Sequence, residues 1–335
     1  MRAVIFHRPG QITCEEVPDP KIGADGVLVR VRRCGICGSD VAKTSGGAFD
    51  FPHRTLLGHE CSGEVVEVGA AVSGIKVGDL VACMPMTACG ACAACLEGRT
   101  ARCLQVRRNL GGFSDYMAAA ERSVVRLPRS LSLADGALVE PIACGLRALR
   151  QAGMAGGERV LVLGAGTMAM AVTFWARELG ASAIAVAARS PHRAELAHVM
   201  GADAVVAFDD PDPAAIPRVL GGPPDIVAEC VGQPGMLARA VEAVRVGGVV
   251  ISLGMCGERD ALVPAACTYK EARLVFPFAY SEAEFAATVR AFDAGRVRPD
   301  LMVSETIGLD AVGPAIEDLR AGRRKALKIQ VDPAL

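Results

Sequence analysis

The stretch RVLVLGAGTMA at residues 159–169 joins a run of apolar residues to a glycine-rich turn. The apolar run predicts a buried strand, and a helix is expected to begin at Thr167 after the turn. Gly164 and Gly166 allow a tight turn and a close approach of the backbone to a phosphate, and Ala169 is an accepted third member of this pattern. The pattern is weak by itself, but between a strand and a helix it predicts a site for the pyrophosphate of a dinucleotide.

The chain after residue 141 continues this alternation of strands and helices. The first helix is expected to end at Leu179, and a second is expected to begin with Ser190 as its cap. Further buried strands are predicted at Ala183–Ala187, Asp225–Cys230, Gly248–Leu253 and Leu274–Phe278. This rhythm predicts an α/β fold with a doubly wound parallel sheet, a Rossmann dinucleotide-binding domain over residues 142–275.

The beginning of the chain has a different character. Short strand-like runs broken by glycine occur at Val27–Val31, Cys61–Val68 and Asp79–Ala82. They predict an irregular, β-rich domain. The last segment again mixes helix and strand and is expected to rejoin this domain, which then comprises residues 1–141 and 276–335.

Composition limits the classes of function. A chain of 335 residues suits two domains, and its net charge of −1 gives no reason to expect a nucleic acid or an anionic membrane as a partner. The basic run from Arg320 to Lys328 is expected to be a solvated edge. The longest uncharged stretch, Val160–Ala176, is too short for a membrane span of roughly 20 residues. With 13 cysteines and no secretory signal, the chain is expected to bind metal in the cytoplasm rather than to form disulfides.

Four cysteines are clustered in the first domain. Cys89, Cys92, Cys95 and Cys103 have the spacing C-x2-C-x2-C-x7-C. Thiolates this close can converge on one tetrahedral Zn²⁺ at about 2.3 Å each. Four thiolates fill the coordination shell and leave no position for a substrate, so a structural zinc is predicted. The alternative is a set of buried or disulfide-bonded cysteines, which such short spacing disfavours.

A second group of metal-binding residue types precedes this cluster. Cys37 lies in the motif CGSD, and His59 and Glu60 lie in the motif GHE. A thiolate, an imidazole and a carboxylate can form a three-ligand zinc site with an open fourth position. An open position lets an alcohol reach the metal, which makes its hydroxyl more acidic. Taken singly, the three residues would be expected to be a core cysteine, a core histidine and a surface glutamate.

Five motifs occur in one order along the chain: Cys37-Gly-Ser-Asp, Gly58-His-Glu, Val77-Gly-Asp, the cysteine quartet and Gly111-Gly-Phe-x-x-Tyr116. In this order they resemble the zinc-containing medium-chain dehydrogenase/reductase family over essentially the whole chain. Glu140-Pro141, expected to open the helix between the domains, is typical of the sorbitol and threonine dehydrogenase branch. The resemblance implies a GroES-like catalytic domain in addition to the Rossmann domain, two zinc ions per chain, and a homodimer or homotetramer.

The resemblance also implies roles for single residues. Cys37 and His59 would bind the catalytic zinc, and Glu60 or Glu140 would supply a carboxylate, directly or through water. Ser39 would hydrogen-bond the substrate oxygen and take its proton. For Glu140 the alternative is a carboxylate at a helix N-terminus, where the helix dipole favours it.

Other positions support or depart from the family pattern. Asp40 is expected to orient His59 as a partner outside the metal shell. Ala42 stands where many relatives have a histidine that serves as a proton exit. Pro277 and Phe278 stand where sorbitol dehydrogenases have an arginine that holds polyol hydroxyls, which argues against free sugar polyols as substrates.

The choice of cofactor is predicted from the end of the second Rossmann strand. An NAD site would carry an acid near Ala188 for the ribose diol, and none is present. Arg189 and Arg193, helped by Ser190, can instead pair with a 2′-phosphate, so NADP is expected rather than NAD. The alternative is that Ser190 only caps its helix and that the arginines are solvated.

These observations lead to one main functional hypothesis and two alternatives. The main one is hydride transfer between a secondary alcohol, or its ketone, and NAD(P), assisted by zinc. The first alternative is a zinc-containing binding protein without catalysis. The second is a zinc-independent quinone or enone reductase on the same fold, in which Cys37, His59 and Glu60 would be unneeded.

Overall fold

The computed structural model describes residues 1–47, 51–189, 193–295 and 298–335. The chain divides into two compact units. The first unit consists of Met1–Glu140, Ser281–Ala294 and Asp300–Leu335. The second unit consists of Pro141–Tyr280 and Gly295–Pro299. No helix within the described ranges has both the length and the apolar character that crossing a membrane requires.

The first unit is built mainly from short strands. These are β1 (Arg2–Arg8), β2 (Gln11–Glu16), β3 (Gly26–Gly35), β4 (Thr55–Leu56), β5 (Glu60–Val68), β6 (Leu80–Cys83), β7 (Met86–Thr87), β8 (Arg107–Arg108), β9 (Tyr116–Ala120), β10 (Val124–Arg126), β17 (Val303–Ile307) and β18 (Lys328–Val331). Its helices are α1 (Gly38–Ala42), α2 (Ala93–Leu96), α9 (Glu282–Asp293) and α10 (Val312–Arg320).

One large sheet organises the first unit. Its strands follow the order β10-β6-β5-β3-β18-β17, with β9 also paired to β3. Val27, Val29 and Val31 are buried at alternate positions of β3, as expected for a strand with one face on the core. Strand β18 pairs antiparallel with β3, with Gln330 opposite Gly35. The end of the chain therefore lies beside the strand that leads into Cys37.

The second unit alternates strands with helices. The strands are β11 (Arg159–Leu163), β12 (Ala183–Ala188), β13 (Ala204–Ala207), β14 (Ile226–Glu229), β15 (Val249–Ser252) and β16 (Arg273–Val275). The helices are α4 (Thr167–Glu178), α5 (Ala194–Val199), α6 (Ala215–Leu220), α7 (Met236–Ala243) and α8 (Pro264–Lys270). All strand pairs are parallel, in the order β13-β12-β11-β14-β15-β16. The chain direction across the sheet reverses between β11 and β14, which makes this a doubly wound sheet.

Most predicted elements of this unit are present, with shifted ends. Helix α4 ends at Glu178, and Gly180 follows with φ of +82°. Strand β16 stops at Val275 rather than at Phe278, because Pro277 has no N–H for a sheet hydrogen bond. The short strand β13 was not predicted. The expected cap Ser190 lies outside the described residues, and helix α5 begins at Ala194.

The helix that carries Glu140 differs from the prediction. Helix α3 spans Leu133–Ala152, with Pro141 in its interior. Its start is capped by Ser132 and Asp135: the N–H of Ser132 donates to Asp135 Oδ2 at 2.8 Å, and the N–H of Asp135 donates to Ser132 Oγ at 3.1 Å. Glu140 therefore lies two turns inside the helix. The prediction that Glu140-Pro141 opens this helix is wrong, and the alternative role of Glu140 at a helix N-terminus is wrong with it.

Candidate active site and metal centres

The four cysteines of the quartet converge in the structure. Cys89, Cys92, Cys95 and Cys103 have Sγ atoms that all lie within 4.8 Å of one another. The Cys92 and Cys95 sulfurs are 3.5 Å apart and those of Cys89 and Cys95 are 3.9 Å apart, well beyond a disulfide bond of about 2.05 Å. The positive φ of Gly90, +78°, permits the tight turn between the first two cysteines. This spacing fits a single tetrahedral ion.

Backbone amides surround these sulfurs. The N–H of Cys92 lies 3.4 Å from Cys89 Sγ, and the N–H of Cys89 lies 3.2 Å from Cys103 Sγ. Backbone hydrogen bonds from Cys95 and Leu104 lower the pKa of the Cys92 thiol to about 6, whereas burial raises the pKa of the Cys95 thiol to about 12. Amide donors stabilise thiolates, the form of cysteine that binds metal. The donor set therefore fits a metal with four sulfur ligands.

The second group comes from two separate strand ends. Cys37 caps α1 two residues after the end of β3, and His59 immediately precedes β5, which begins at Glu60. The thiol sulfur, an imidazole nitrogen and a carboxylate oxygen of these residues all lie within 4.8 Å of one another. Three ligands of this type leave one position of a tetrahedral shell open.

Two glycines make room for this group. Gly58 has φ of +91°, and a Cβ there would lie 2.4 Å from the backbone nitrogen of Phe113. A Cβ at Gly35 would lie 1.9 Å from Glu60 Oε2. A larger residue at either position would displace His59 or the carboxylate of Glu60.

Asp40 supports both Cys37 and His59. Its Oδ2 accepts the N–H of Cys37 at 2.9 Å, and its Oδ1 lies 3.3 Å from His59 Nδ1. Burial lowers the pKa of His59, but Asp40 and then Cys37 outweigh it and hold that pKa well above its usual value. With Nδ1 directed at Asp40, Nε2 is the nitrogen left for a metal. Ser39 Oγ lies 3.5 Å from that Nε2.

A buried lysine completes the group and was missed in the sequence. Lys328 Nζ lies 2.8 and 2.6 Å from the two carboxylate oxygens of Glu60 and 3.0 Å from the carbonyl oxygen of Ile36. Its side chain is 2% exposed. Burial lowers the pKa of Lys328, but the charges of Glu60, Cys37 and Glu140 raise it overall. The sequence signal was weak: Lys328 begins the short strand-like run KIQV, in which polar and apolar residues alternate.

The prediction that the basic run is a solvated edge is wrong for Lys328. Of the other cations in the run, Arg323 and Lys325 are exposed, whereas Arg320 and Arg324 are partly buried. Arg320 pairs with Glu317, Arg323 with Asp318 and Arg324 with Glu305. Lys328 alone among these paired cations is withdrawn into the core. Glu140 is also buried, at 8% exposure, but is not in the three-residue group.

The glycine turn has the geometry of a phosphate-binding loop. Gly164 has φ of +105°, and Gly166 caps the twelve-residue helix α4. A Cβ at Gly166 would meet no atom within 4 Å, so this glycine leaves space for a ligand rather than for packing. Ala169 is fully buried and lets the helix approach the sheet. The backbone N–H groups at such a helix start suit a pyrophosphate.

The two predicted cofactor arginines lie in different environments. Arg189 is exposed after β12. Arg193 is half-buried, and its Nη1 donates to the carbonyl oxygen of Ala165 in the glycine turn at 2.9 Å. Burial lowers the pKa of Arg193. Ser190, the third residue of this prediction, lies outside the described residues.

Metal-assisted hydride transfer needs a Lewis acid with a free coordination position and a seat for a dinucleotide. The chain supplies fitting residues for both. The class defined by fold and site is therefore a metal-dependent, nicotinamide-linked oxidoreductase.

Comparison with known proteins gives the family. The profile described as alcohol dehydrogenase GroES-like domain matches residues 23–129, and that described as zinc-binding dehydrogenase matches residues 164–294. Sorbitol dehydrogenase of Bacillus subtilis is 30% identical over 99% of this chain and 97% of its own. The (R,R)-butanediol dehydrogenase of the same organism is 32% identical over 92% and 93%. A crystal structure from Sinorhizobium meliloti 1021, described as a zinc-binding dehydrogenase bound to NADP, has a TM-score of 0.90 at 30% identity, covering 99% of both chains.

The chain belongs to the zinc-containing medium-chain dehydrogenase/reductase family, in its sorbitol dehydrogenase-like branch. It is a zinc-dependent alcohol dehydrogenase, an oxidoreductase that acts on CH–OH groups with NAD(P). The predicted family and fold class, a GroES-like domain with a Rossmann domain, are confirmed.

Proposed function

We propose that this enzyme interconverts a secondary alcohol and its ketone, using a zinc ion held by Cys37, His59 and Glu60. The observation that carries the proposal is the convergence of these three ligand atoms within 4.8 Å, with Asp40 behind the imidazole. A zinc-independent reductase would have no use for such a group. A binding module would have no use for an open coordination position.

The residues of the chain divide the chemistry between them. Bound zinc supplies a Lewis acid that makes the substrate hydroxyl more acidic. Ser39 Oγ orients that hydroxyl and takes its proton while passing its own hydroxyl proton on to water. Asp40 fixes the ring of His59. Lys328 holds the carboxylate of Glu60. Glu140 acts on the site either through the electrostatic effect of its charge on Lys328 or through water.

A second zinc is proposed in the quartet of Cys89, Cys92, Cys95 and Cys103, giving two zinc ions per chain. A complete thiolate shell contributes to folding and takes no part in the reaction.

NADP is the proposed cofactor, bound on the turn of Gly164, Gly166 and Ala169. Three observations support this choice. Strand β12 ends without an acid, Arg189 is exposed, and Arg193 lies beside the glycine turn. The Sinorhizobium meliloti relative, bound to NADP, gives further support. Ser190 remains part of the proposal from sequence alone.

The proposed substrate has few hydroxyl groups. Relatives are named for sorbitol, D-xylulose and (R,R)-butanediol. Pro277 and Phe278, where sorbitol dehydrogenases have an arginine, favour a small diol or simple secondary alcohol over a sugar polyol.

Two measurements on the purified enzyme test these proposals. Elemental analysis is expected to find two zinc ions per chain; one ion without dehydrogenase activity would support the binding protein instead. Initial rates with 2,3-butanediol, 2-butanol and sorbitol, each with NADP⁺ and NAD⁺, are expected to be highest for the diol with NADP⁺. Full activity after zinc removal would support the quinone or enone reductase.

We propose that the first unit, predicted from the sequence as residues 1–141 and 276–335, is the catalytic domain and that the second, predicted as residues 142–275, is the cofactor domain. We also propose that the enzyme is a cytoplasmic homodimer or homotetramer. Light scattering with size-exclusion chromatography measures the assembly, and a monomeric mass would contradict it.

A further inference from the structure

A buried carboxylate lies at the end of strand β14 and ties two loops together. Glu229 is 2% exposed. Its Oε1 accepts the N–H of Val231 at 2.6 Å and that of Gly232 at 2.7 Å. Its backbone oxygen accepts the N–H of Leu253 at 2.8 Å and that of Gly254 at 3.0 Å. One residue therefore fixes the backbone of the loops that follow β14 and β15.

These loops leave no room for a side chain at Gly254 and little room for one at Gly164. A Cβ at Gly254 would lie 2.1 Å from the backbone nitrogen of Gly232 and 2.7 Å from Glu229 Oε2. A Cβ at Gly164 would lie 3.1 Å from Val231 Cγ2. The glycine turn after β11 and the loops after β14 and β15 thus form one contiguous surface, and the carboxylate lies beneath it.

The position of this surface in the sheet indicates which half of a dinucleotide it would contact. A dinucleotide lies along the carboxyl ends of the strands at the point where strand order reverses, with its pyrophosphate at the first glycine turn. Here that point falls between β11 and β14. The adenosine half then belongs to the side of β12 and β13, and the nicotinamide half to the side of β14 and β15. Met255, in the loop after β15, is 69% exposed, so this side is accessible to a ligand.

We propose that Glu229 is a positioning residue for the nicotinamide half of the cofactor. Its carboxylate holds Val231-Gly232 and the segment Leu253–Met255 in the conformation that receives the nicotinamide riboside. A buried carboxylate is costly unless it is hydrogen-bonded, and the two N–H donors provide that compensation. The inference rests on the proposed cofactor site.

Binding to the zinc-loaded, full-length enzyme tests the inference without a turnover assay. Isothermal titration calorimetry compares NADPH with the fragment 2′-phospho-ADP, which keeps the pyrophosphate and the 2′-phosphate but lacks the nicotinamide riboside; NADH and ADP are run in parallel. In Glu229→Ala the Kd for NADPH is expected to rise at least tenfold, while the Kd for the fragment changes less than twofold. Glu229→Gln keeps an acceptor oxygen at Oε1 and is expected to stay within threefold of the parent for both ligands.

Glu229→Asp provides a second route if the alanine variant does not fold. It keeps the charge but shortens the reach by one methylene, so weaker NADPH binding with unchanged fragment binding is again expected. Equal loss of affinity for NADPH and the fragment would overturn the inference, because it would indicate general damage to the domain. Unchanged NADPH affinity in both Glu229→Ala and Glu229→Asp would also overturn it. A parent enzyme that binds none of the four ligands would instead refute the proposed cofactor site.

Discussion

The four-cysteine lobe and the Cys37 group each bring together side chains that could hold a metal ion, yet they are built in opposite ways. The quartet lies entirely within residues 89–103, and its four sulfurs, all within 4.8 Å of one another, would fill the tetrahedral shell of the proposed zinc. The second group joins the ends of β3 and β5 and depends on Lys328, which is 268 residues from Glu60 in sequence. One site is local and closed; the other is assembled by the whole unit and open.

This difference predicts different consequences of damage. A closed local site can lose its metal and unfold its own loop while the catalytic group remains. An open site needs every distant strand in register, but its metal contributes chemistry more than folding. Substitutions at the two sites are therefore expected to separate catalysis from stability.

The largest expected effect is on turnover at the open site. Cys37→Ala or His59→Ala is expected to lower kcat by roughly 10³-fold or more, since loss of one preorganised electrostatic contact alone costs about 10²–10³-fold. Zinc content is expected to fall from two ions per chain to one, with the circular dichroism spectrum unchanged. Cys14→Ser, at a cysteine outside both groups, is the matched control. Near-parental kcat in metal-depleted Cys37→Ala would remove zinc from the mechanism.

Lys328 tests whether the open site depends on its distant partner. In Lys328→Met the buried carboxylate of Glu60 loses its counter-charge, and the zinc-free protein is expected to lose roughly 3–5 kcal/mol of unfolding free energy. Bound zinc offsets part of this loss, because it also neutralises Glu60. Urea unfolding with chelator and with zinc measures the unfolding free energy of the zinc-free and of the zinc-bound variant. Because the zinc-bound form loses less stability, the affinity of this site for zinc is expected to rise.

A surface pair provides the control for that experiment. Arg324→Met removes the partner of Glu305 and is expected to change stability by only about 0–1 kcal/mol, with or without zinc. If Lys328→Met behaved like Arg324→Met, the pair with Glu60 would have no energetic role.

The closed site is expected to respond in the opposite sense. Cys92→Ser should lower the thermal midpoint by about 5–10 °C, since each kcal/mol shifts the midpoint of a larger domain by about 2–4 °C. The kcat per folded molecule should stay near the parental value. Calorimetry measures the thermal midpoint and steady-state kinetics measure kcat, both on the same preparation. A variant as heat-resistant as the parent that had lost only catalysis would show that the quartet is not structural.

The same contrast explains what could be predicted from the sequence. The quartet and the glycine turn carry their information within a few residues, so spacing alone was sufficient for the quartet and for the strand–turn–helix of the second unit. The start of α3 is also encoded locally, by the cap of Ser132 and Asp135, whereas the expectation of a start at Glu140-Pro141 came from the resemblance to the family branch. A proline inside a helix is tolerated there because the buried helix is held by its packing.

Lys328 and Glu229 could not be predicted in this way. The role of Lys328 depends on the pairing of β18 with β3, and that of Glu229 on the contact between the loops after β14 and β15. Both are charged residues in buried strands, a pattern that indicates an unusual environment without identifying the partner. Only the assembled sheets supply the partners.

The smallest expected effect concerns the cofactor turn, which is local like the quartet but takes its specificity from residues beyond β12. A 2′-phosphate needs cationic partners, and each charge-assisted contact contributes about 1.5–3 kcal/mol, roughly tenfold or more in affinity. Arg189→Ala is therefore expected to raise the KM for NADP⁺ about tenfold while leaving the KM for NAD⁺ unchanged. Arg218 is an exposed arginine paired with Asp212, and the control variant Arg218→Ala should change neither KM. Ala188→Asp should shift preference toward NAD⁺, because it repels the phosphate and provides an acceptor for the ribose diol. Steady-state kinetics with both cofactors measure these changes. A clear preference of the parent for NAD⁺ would mean that the arginines are only solvated, and the NADP assignment would fail while the dehydrogenase assignment stood.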